Sequence, residues 1–417
     1  MVILFALGVP IAYTLGMTGL VAILTVGTIK LEIVPLMVFN GATTYTLVAI
    51  PLFILMGQIM NHSSLAVRLI DFASAIVGFI RGGLAMTTVM AGMMMAAISG
   101  SSVADAAALG SVLIPQMEKR GYGKSLAVSS VSAAATLAAI IPPSTNLIMY
   151  AVIAGVSVTD VFIAGVIPGV CIGLGLMVVI YIFALKMNLP VEQAFAIPNI
   201  VKQFKRAGLC LLLPLLVIGG IIFGFFTPTE AGAFGVVYAL SLGVVVYREL
   251  SFKQLINALK AASRQTSVVL IMVSTSALLG WYVTQQQIPQ QLAEFMLGIS
   301  TNKYIILLMV NILILIAGMF LQAAPLIIML VPMVAPLVAG VGVNLVQFGV
   351  IMGVALCIGQ ITPPVASVLM TTCGIGEISM EKTLNTLLPM IGVLILVLII
   401  ASVLPSFSLW LPTLFAS

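Results

Sequence analysis

Two pairs of apolar stretches place hydroxyl, amide and carbonyl groups where a helix is forced open. The first pair holds Ser99-Gly100-Ser101-Ser102, with Asp105 just beyond, and then a stretch broken at Pro142-Pro143. The second holds Phe320-Leu321-Gln322-Ala323-Ala324-Pro325 and then a stretch broken at Pro363-Pro364. Proline removes a backbone donor and clashes with the preceding turn, so each helix must unwind at its double proline. Unwound carbonyls and hydroxyls suit a hard cation such as sodium. Half-helix N-termini offer free N–H groups and a positive dipole end, which favour a carboxylate. One site therefore combines the tip Ser99–Ser102 with the break Ala138–Ser144, and another the tip Gly318–Pro325 with the break Gly359–Pro364.

Few other groups in apolar surroundings carry chemistry. An ionisable side chain there costs roughly 2.5–3.5 kcal/mol. Asp105 is the notable case: it contacts substrate or ion, orients a hairpin hydroxyl, or pairs with a basic group beside a cavity. Glu230, after Pro228 in TPTEAG, reads as a helix cap. His62 stands at a span end without partners, and Cys171, Cys210, Cys357 and Cys373 read as buried free thiols. Ser99-Gly100-Ser101 has no histidine in a comparable core segment and no metal-ligand cluster is present, so an enzyme is not expected.

The elements that position these groups are membrane helices. The chain is 62% hydrophobic and 6% charged, with a mean hydropathy of +1.29. Apolar runs of roughly 17–25 residues recur along it, which predicts an all-α polytopic membrane protein. The N-terminal run Met1–Thr28 lacks a basic leader and cleavage site and reads as a retained span. A formal charge of +5 follows from basic residues in short cytoplasmic loops and implies no nucleic acid. Arg68, Arg81, Lys119, Arg120 and Lys124 flank the block 83–117, so it enters and leaves on the cytoplasmic side as a re-entrant hairpin. The loop after the block 304–338 carries no basic residue, so the second hairpin enters from the opposite side and the halves are inverted.

An ordered series of matches supports this duplication. Leu55-Met56-Gly57 recurs as Leu278-Leu279-Gly280, Leu69 and Phe72 as Leu292 and Phe295, and Leu113-Ile114-Pro115 as Leu330-Val331-Pro332. Pro142, Pro143, Gly155 and Pro168 recur as Pro363, Pro364, Gly376 and Pro389. Interrupted helices at matching positions in two halves point to a secondary transporter. Residues 64–80 and 251–264 are amphipathic and read as arms in the interface plane, against headgroups. A channel is disfavoured by hairpins sealing from opposite sides. A proton-coupled carrier would show more intramembrane acids or histidines than Asp105 and Glu230.

These stretches carry a family resemblance along essentially the whole chain. GVPIAYTLG, PLFILMGQIMN, FIRGGLAM, AISGSSVADAAALGSVLIP, IIPPS, FTPTEAGA, VYRELS, QIPQ, GMFLQ, ITPPV and SLWLP together resemble the large membrane subunit of a tripartite ATP-independent periplasmic (TRAP) transporter. The resemblance implies an elevator fold in the bacterial inner membrane, with two re-entrant hairpins and two broken helices on a domain that slides against a scaffold. It implies Na+ as coupling ion, a small four-helix membrane partner and a periplasmic binding protein that delivers an organic acid. The substrate range spans C4-dicarboxylates, sialic acid and keto acids. A receptor-independent sodium/carboxylate symporter of related architecture is the alternative, separated by whether the receptor is required.

Family roles carried onto this chain give a first sodium site of Ser99 and Ser101 with backbone groups at Ala138, Ile141 and Pro143. The internal repeat gives a second, of Gly359, Thr362 and Pro364 with the tip at Gln322. Ala138 stands where the family has glycine, and Gln322 where an acid is common. Substrate contacts fall to Asp105, Ser102 and Ser144. The resulting organisation is scaffold spans in 1–62, an arm in 63–82, hairpin and broken helix in 83–160, and a span with its connector in 161–206. Scaffold spans and arms follow in 207–298, the second hairpin and broken helix in 299–376, and a C-terminal span in 377–417.

Overall fold

The computed structural model describes residues 4, 7–26, 30–63, 65–192 and 194–415. Both ends of the predicted span Met1–Thr28 and residue 64 of the first arm lie outside them. The described chain is helical, and no strand longer than a single bridge forms among these residues. Eight of its helical stretches are long and apolar enough to cross a membrane.

The first half runs α1 (Ile11–Val26), α2 (Ile33–Ala42), α3 (Ala49–His62) and α4 (Leu65–Val77). A hairpin of α5 (Gly83–Ser99) and α6 (Ser102–Lys119) follows, then a broken helix of α7 (Lys124–Thr136) and α8 (Thr145–Ala154), then α9 (Val158–Lys186). The second half begins with α10 (Ile197–Ile222), α11 (Pro228–Leu240), α12 (Phe252–Gln285) and α13 (Ile288–Ile299). It repeats the hairpin as α14 (Lys303–Phe320) and α15 (Ala323–Gly340), and the broken helix as α16 (Leu345–Gly359) and α17 (Ser367–Gly376). It closes with α18 (Met380–Val403) and α19 (Pro405–Phe415). Both double-proline steps contain a cis peptide bond.

The second arm departs from expectation. Residues 251–264 form the start of the 34-residue α12 and not a separate helix. The sequence explains this: Ser251 and Gln254 make a reciprocal capping box, and no glycine or proline follows until Gly280. The amphipathic helix that stands apart is α13, entered through Gln287 in the left-handed region and a proline in its first turn. It holds Leu292 and Phe295, the repeat partners of Leu69 and Phe72 in α4.

Packing separates a frame from the parts that carry the tips. The long α12 packs along α1, α2 and α3, and α11 also packs on α3. The arm α4 lies between α5 and α10, and α13 lies against α15 and α12, so each arm joins a hairpin limb to the frame. The broken helices are the innermost elements: Leu126–Thr136 of α7 and Gln347–Gly359 of α16 are buried throughout. Lipid gives no hydrophobic drive between helices, so small and hydroxylated residues make the close contacts. Ser132 and Thr372 join α7 to α17 at 2.6 Å, and Ser125 and Ser129 each meet Thr386 of α18 at 2.7 Å.

Candidate functional site

A cavity of about 520 Å³ lies where both hairpin tips and both helix breaks meet. One wall consists of the first residues of four helices: Ser102 of α6, Thr145 and Asn146 of α8, Ala323 of α15 and Ser367 of α17. The opposite wall is α12, which presents Arg264, Gln265, Val268 and Met272, with Ile50 and Ile54 of α3 beside it.

The four helix starts share a second property. None of their N-cap residues, Ser101, Ser144, Gln322 and Ala366, makes a side-chain capping hydrogen bond. Of the helices that start elsewhere, α9, α11, α12, α14 and α16 are capped by Ser157, Thr227, Ser251, Asn302 and Asn344. Helices α2, α3, α5, α7, α10, α13 and α18 also lack a side-chain cap, so it is the gathering of such starts at one cavity that matters. A helix start leaves its first N–H groups without intrahelical partners, and a side chain, water or ligand must satisfy them. Four uncapped starts around one cavity give it the character of an anion site. Two orphaned groups add to this. Ser102 Oγ and Gln360 Nε2 lie in the wall, are about 95% buried, and have no hydrogen-bond partner among the described residues.

Each tip is fastened to its own break. Thr145 Oγ1 donates to Gly100 O at 2.9 Å, and Val365 N donates to Met319 O at 3.1 Å. Gly100 sits at φ +58°, and a Cβ there would stand 2.9 Å from Pro143 O, so this tip requires glycine on both counts. The second tip turns instead through Leu321 and Gln322 in extended backbone.

Of the residues predicted from sequence, Ser101, Ser102 and Gln322 line the cavity. Ser99 is buried just behind the first tip, its Oγ accepting from Ser101 N at 3.2 Å. Ala138, Ile141 and Pro143 are buried at the first break, where Ile141 N donates to Leu137 O at 2.8 Å. At the second break Gly359 is buried, Thr362 is half-buried and donates to Ile358 O at 2.7 Å, and Pro364 is exposed. Two predicted substrate contacts stand back from the wall. Ser144 is fully buried and its hydroxyl turns inward to Ala139 O at 3.0 Å. Asp105 lies in the first turn of α6, wholly buried and facing Ser99; neither carboxylate oxygen completes a hydrogen bond among the described residues.

Sequence reasoning missed Asn146, Gln265 and Arg264, and included Gln360 only as part of the break Gly359–Pro364, without a role of its own. Gln360 had a signal, being a lone amide in the apolar run CIGQI directly ahead of the double proline. Arg264 falls at the end of the stretch 251–264 that reads as an interfacial arm, and only the unbroken course of α12 brings it to the cavity. The oxygen donors at the two breaks, with an orphaned carboxylate beside the first, are of the kind a sodium ion takes. No group of three His, Cys, Asp or Glu gathers among the described residues, as a transition-metal site would need.

Comparison with known proteins agrees with this architecture. Residues 1–407 match the family described as the tripartite ATP-independent periplasmic transporter, DctM component. The sialic acid TRAP transporter large permease protein SiaM of Vibrio cholerae is 35% identical, over 99% of this chain and 96% of its own length. The C4-dicarboxylate TRAP transporter large permease protein DctM of the same organism is 37% identical, over 98% and 94%. In fold, the chain resembles the crystal structure of the Alcanivorax borkumensis YdaH transporter, with a TM-score of 0.58, 17% identity and coverage of 89% and 86% of the two chains.

Proposed function

The chain belongs to the DctM family, the large permease component of tripartite ATP-independent periplasmic transporters, and from that premise we propose that it carries a small organic-acid anion inward together with Na+ by an elevator movement. It is a multi-pass protein of the bacterial inner membrane and not an enzyme.

The observation that carries the substrate class is the cavity at the uncapped starts of α6, α8 and α15, with the unpaired amide of Gln360 and hydroxyl of Ser102 in its wall. A carboxylate is the group such a site attracts, and C4-dicarboxylates and sialic acid both present one. Sodium would sit behind each tip: at Ser99, Ser101 and the backbone of Ala138, Ile141 and Pro143, and at Gln322, Thr362 and the backbone of Gly359 and Pro364. The buried carboxylate of Asp105 would then balance the first ion's charge from behind Ser99. Ion binding would draw tip and break together and complete the anion site, which couples the two solutes.

Movement would divide the chain between the frame α1–α3 with α10–α12 and the tip-bearing elements. The two meet at small residues: a Cβ on Gly57 of α3 would stand 2.8 Å from Ser99 O. A small four-helix membrane subunit would cover exposed apolar side chains of the frame, such as Tyr13, Leu24 and Phe39, with lipid over the remainder. A periplasmic binding protein would deliver the anion. The test is uptake into proteoliposomes holding this chain and its small partner, with and without a sodium gradient and the binding protein. Uptake that needs both supports the reading. Sodium-driven uptake without the binding protein replaces it with a receptor-independent symporter, and uptake on a proton gradient alone removes the sodium sites.

A further inference from the structure

Arg264 and its neighbour Gln265 differ from the other polar groups of the cavity wall in the element that carries them, and of the two only Arg264 is charged. Ser101, Ser102, Asn146, Gln322 and Gln360 sit on hairpins and broken helices, whereas Arg264 projects from α12, which packs along α1, α2 and α3. The next residue locks that part of α12 in place, as Gln58 Nε2 of α3 donates to Gln265 Oε1 at 3.2 Å. Arg264 is exposed, has no ion-pair partner among the described residues, and no acidic residue lines the cavity with it. The same side chain borders a second, open groove with Ile256, Leu259, Lys260 and Ser263. Lys260 precedes Arg264 by four residues, so the two share one face of α12 and lead from the cavity toward the basic, cytoplasmic end of that helix.

We propose that Arg264 is a stationary anion ligand specific to the cytoplasmic side: it pairs with the acidic group of the substrate when the tips stand level with it, and passes it to Lys260 on release. The inference rests on the transport reading above and adds to it which face of the membrane this contact serves. A guanidinium offers a planar fork of donors to a carboxylate, which an ammonium does not. A ligand on the frame cannot travel with the tips. It therefore binds at one end of the stroke only and contributes nothing at the other.

The experiment uses the chain with its small partner in proteoliposomes, with succinate, N-acetylneuraminate and a keto acid as probes, each offered from either face and with the binding protein present at the periplasmic face. Arg264→Gln is expected to raise the half-saturating concentration at the cytoplasmic face about tenfold, as loss of one charge-assisted contact implies. At the receptor-loaded face the value should stay within about twofold, since the contact is not made there. Arg264→Lys should fall between, and serves for the same comparison if the glutamine variant does not reconstitute. Separately, in a chain lacking Cys171, Cys210, Cys357 and Cys373, Arg264→Cys should react with a charged thiol reagent from the cytoplasmic face alone. An equal change at both faces, no change at the cytoplasmic face, or labelling from the periplasmic face overturns the inference. If the unmodified protein, supplied with its binding protein, moves none of the three probes under a sodium gradient, the transport reading itself fails, which the labelling arm distinguishes from a misplaced arginine.

Discussion

The thiol of Cys357 donates to the backbone carbonyl of Thr136 at 3.1 Å, and the two residues are 221 positions apart, the spacing that separates the two double prolines. Equivalent residues of the two repeats thus touch each other, which places the pseudo-twofold axis at the crossing of α7 and α16. Cys357 is fully buried there. Cys357→Ser keeps a small donor and should leave stability nearly unchanged. Cys357→Leu adds volume to a crossing with no spare room and should cost about 1–3 kcal/mol. Thermal unfolding in detergent, followed by circular dichroism, separates the two. Equal melting temperatures would show that the crossing is loosely packed.

The second tip and its break approach through two glycines. A Cβ on Gly359 would stand 2.9 Å from the backbone of Gly318, which cannot move aside as a side chain would. Gly359→Ala should therefore part the tip from the break and abolish coupled uptake. Gly374→Ala, where a Cβ meets nothing within 4 Å, should leave it intact. Uptake unaffected by Gly359→Ala would show that this contact opens during the cycle without consequence.

How much of this was legible depends on how local each cause is. The breaks follow from Pro142-Pro143 and Pro363-Pro364, and the first tip from Gly100 between serines, because proline and glycine act on the backbone wherever they stand. Ser101, Ser102 and Gln322 reach the cavity as neighbours of those breaks. The depth of Asp105 and Ser144 was not legible, since helical rotation and a hydroxyl's choice between a carbonyl and open space decide it. Arg264 was hidden for a different reason. Its place depends on α12 running unbroken from Ser251, and an arm that ends at residue 264 shares one composition with a helix that runs on through it.

Tyr122 fastens the cytoplasmic base of the first hairpin. Its hydroxyl accepts from Leu84 N at 3.2 Å and donates to Glu192 Oε1 at 2.9 Å, while Arg120 pairs with the other Glu192 oxygen at 3.2 Å. Gly82 N donates to Pro190 O and Glu192 N to Gly78 O, so the connector after α9 straps the start of α5 to the end of α6. Tyr122→Phe should cost about 1–3 kcal/mol, because it leaves the half-buried Leu84 amide and an oxygen of the largely buried Glu192 carboxylate unmatched.

The same tyrosine predicts an alkaline limit. Burial, with the hydrogen bond and charge of Glu192, holds its phenol above the ordinary value of 10.0, while Leu84 N–H and Arg120 act in the opposite sense. A pKa raised by folding means the folded state keeps its proton longer. The contribution is complete below pH 10 and declines as pH rises beyond it. Melting temperature measured from pH 8 upward should be flat and then fall more steeply in the unmodified protein than in Tyr122→Phe. Parallel curves would remove Tyr122 as the cause.

Gln360 and Thr362 are two residues apart and should fail in different ways. Gln360 Nε2 is buried and unpaired in the cavity wall, so an anion is its natural acceptor. Thr362 Oγ1 already donates to Ile358 O, which turns its lone pairs away from that carbonyl and leaves them for a cation. Gln360→Ala should therefore raise the half-saturating substrate concentration about tenfold or more, the value of a hydrogen bond to a charged group, with sodium dependence unchanged at saturating substrate. Thr362→Ala should instead raise the sodium concentration needed for half-maximal uptake. Kinetics measured along both concentration axes decide it. If both variants shift the same axis, tip and break form one site and not an anion site backed by a cation site.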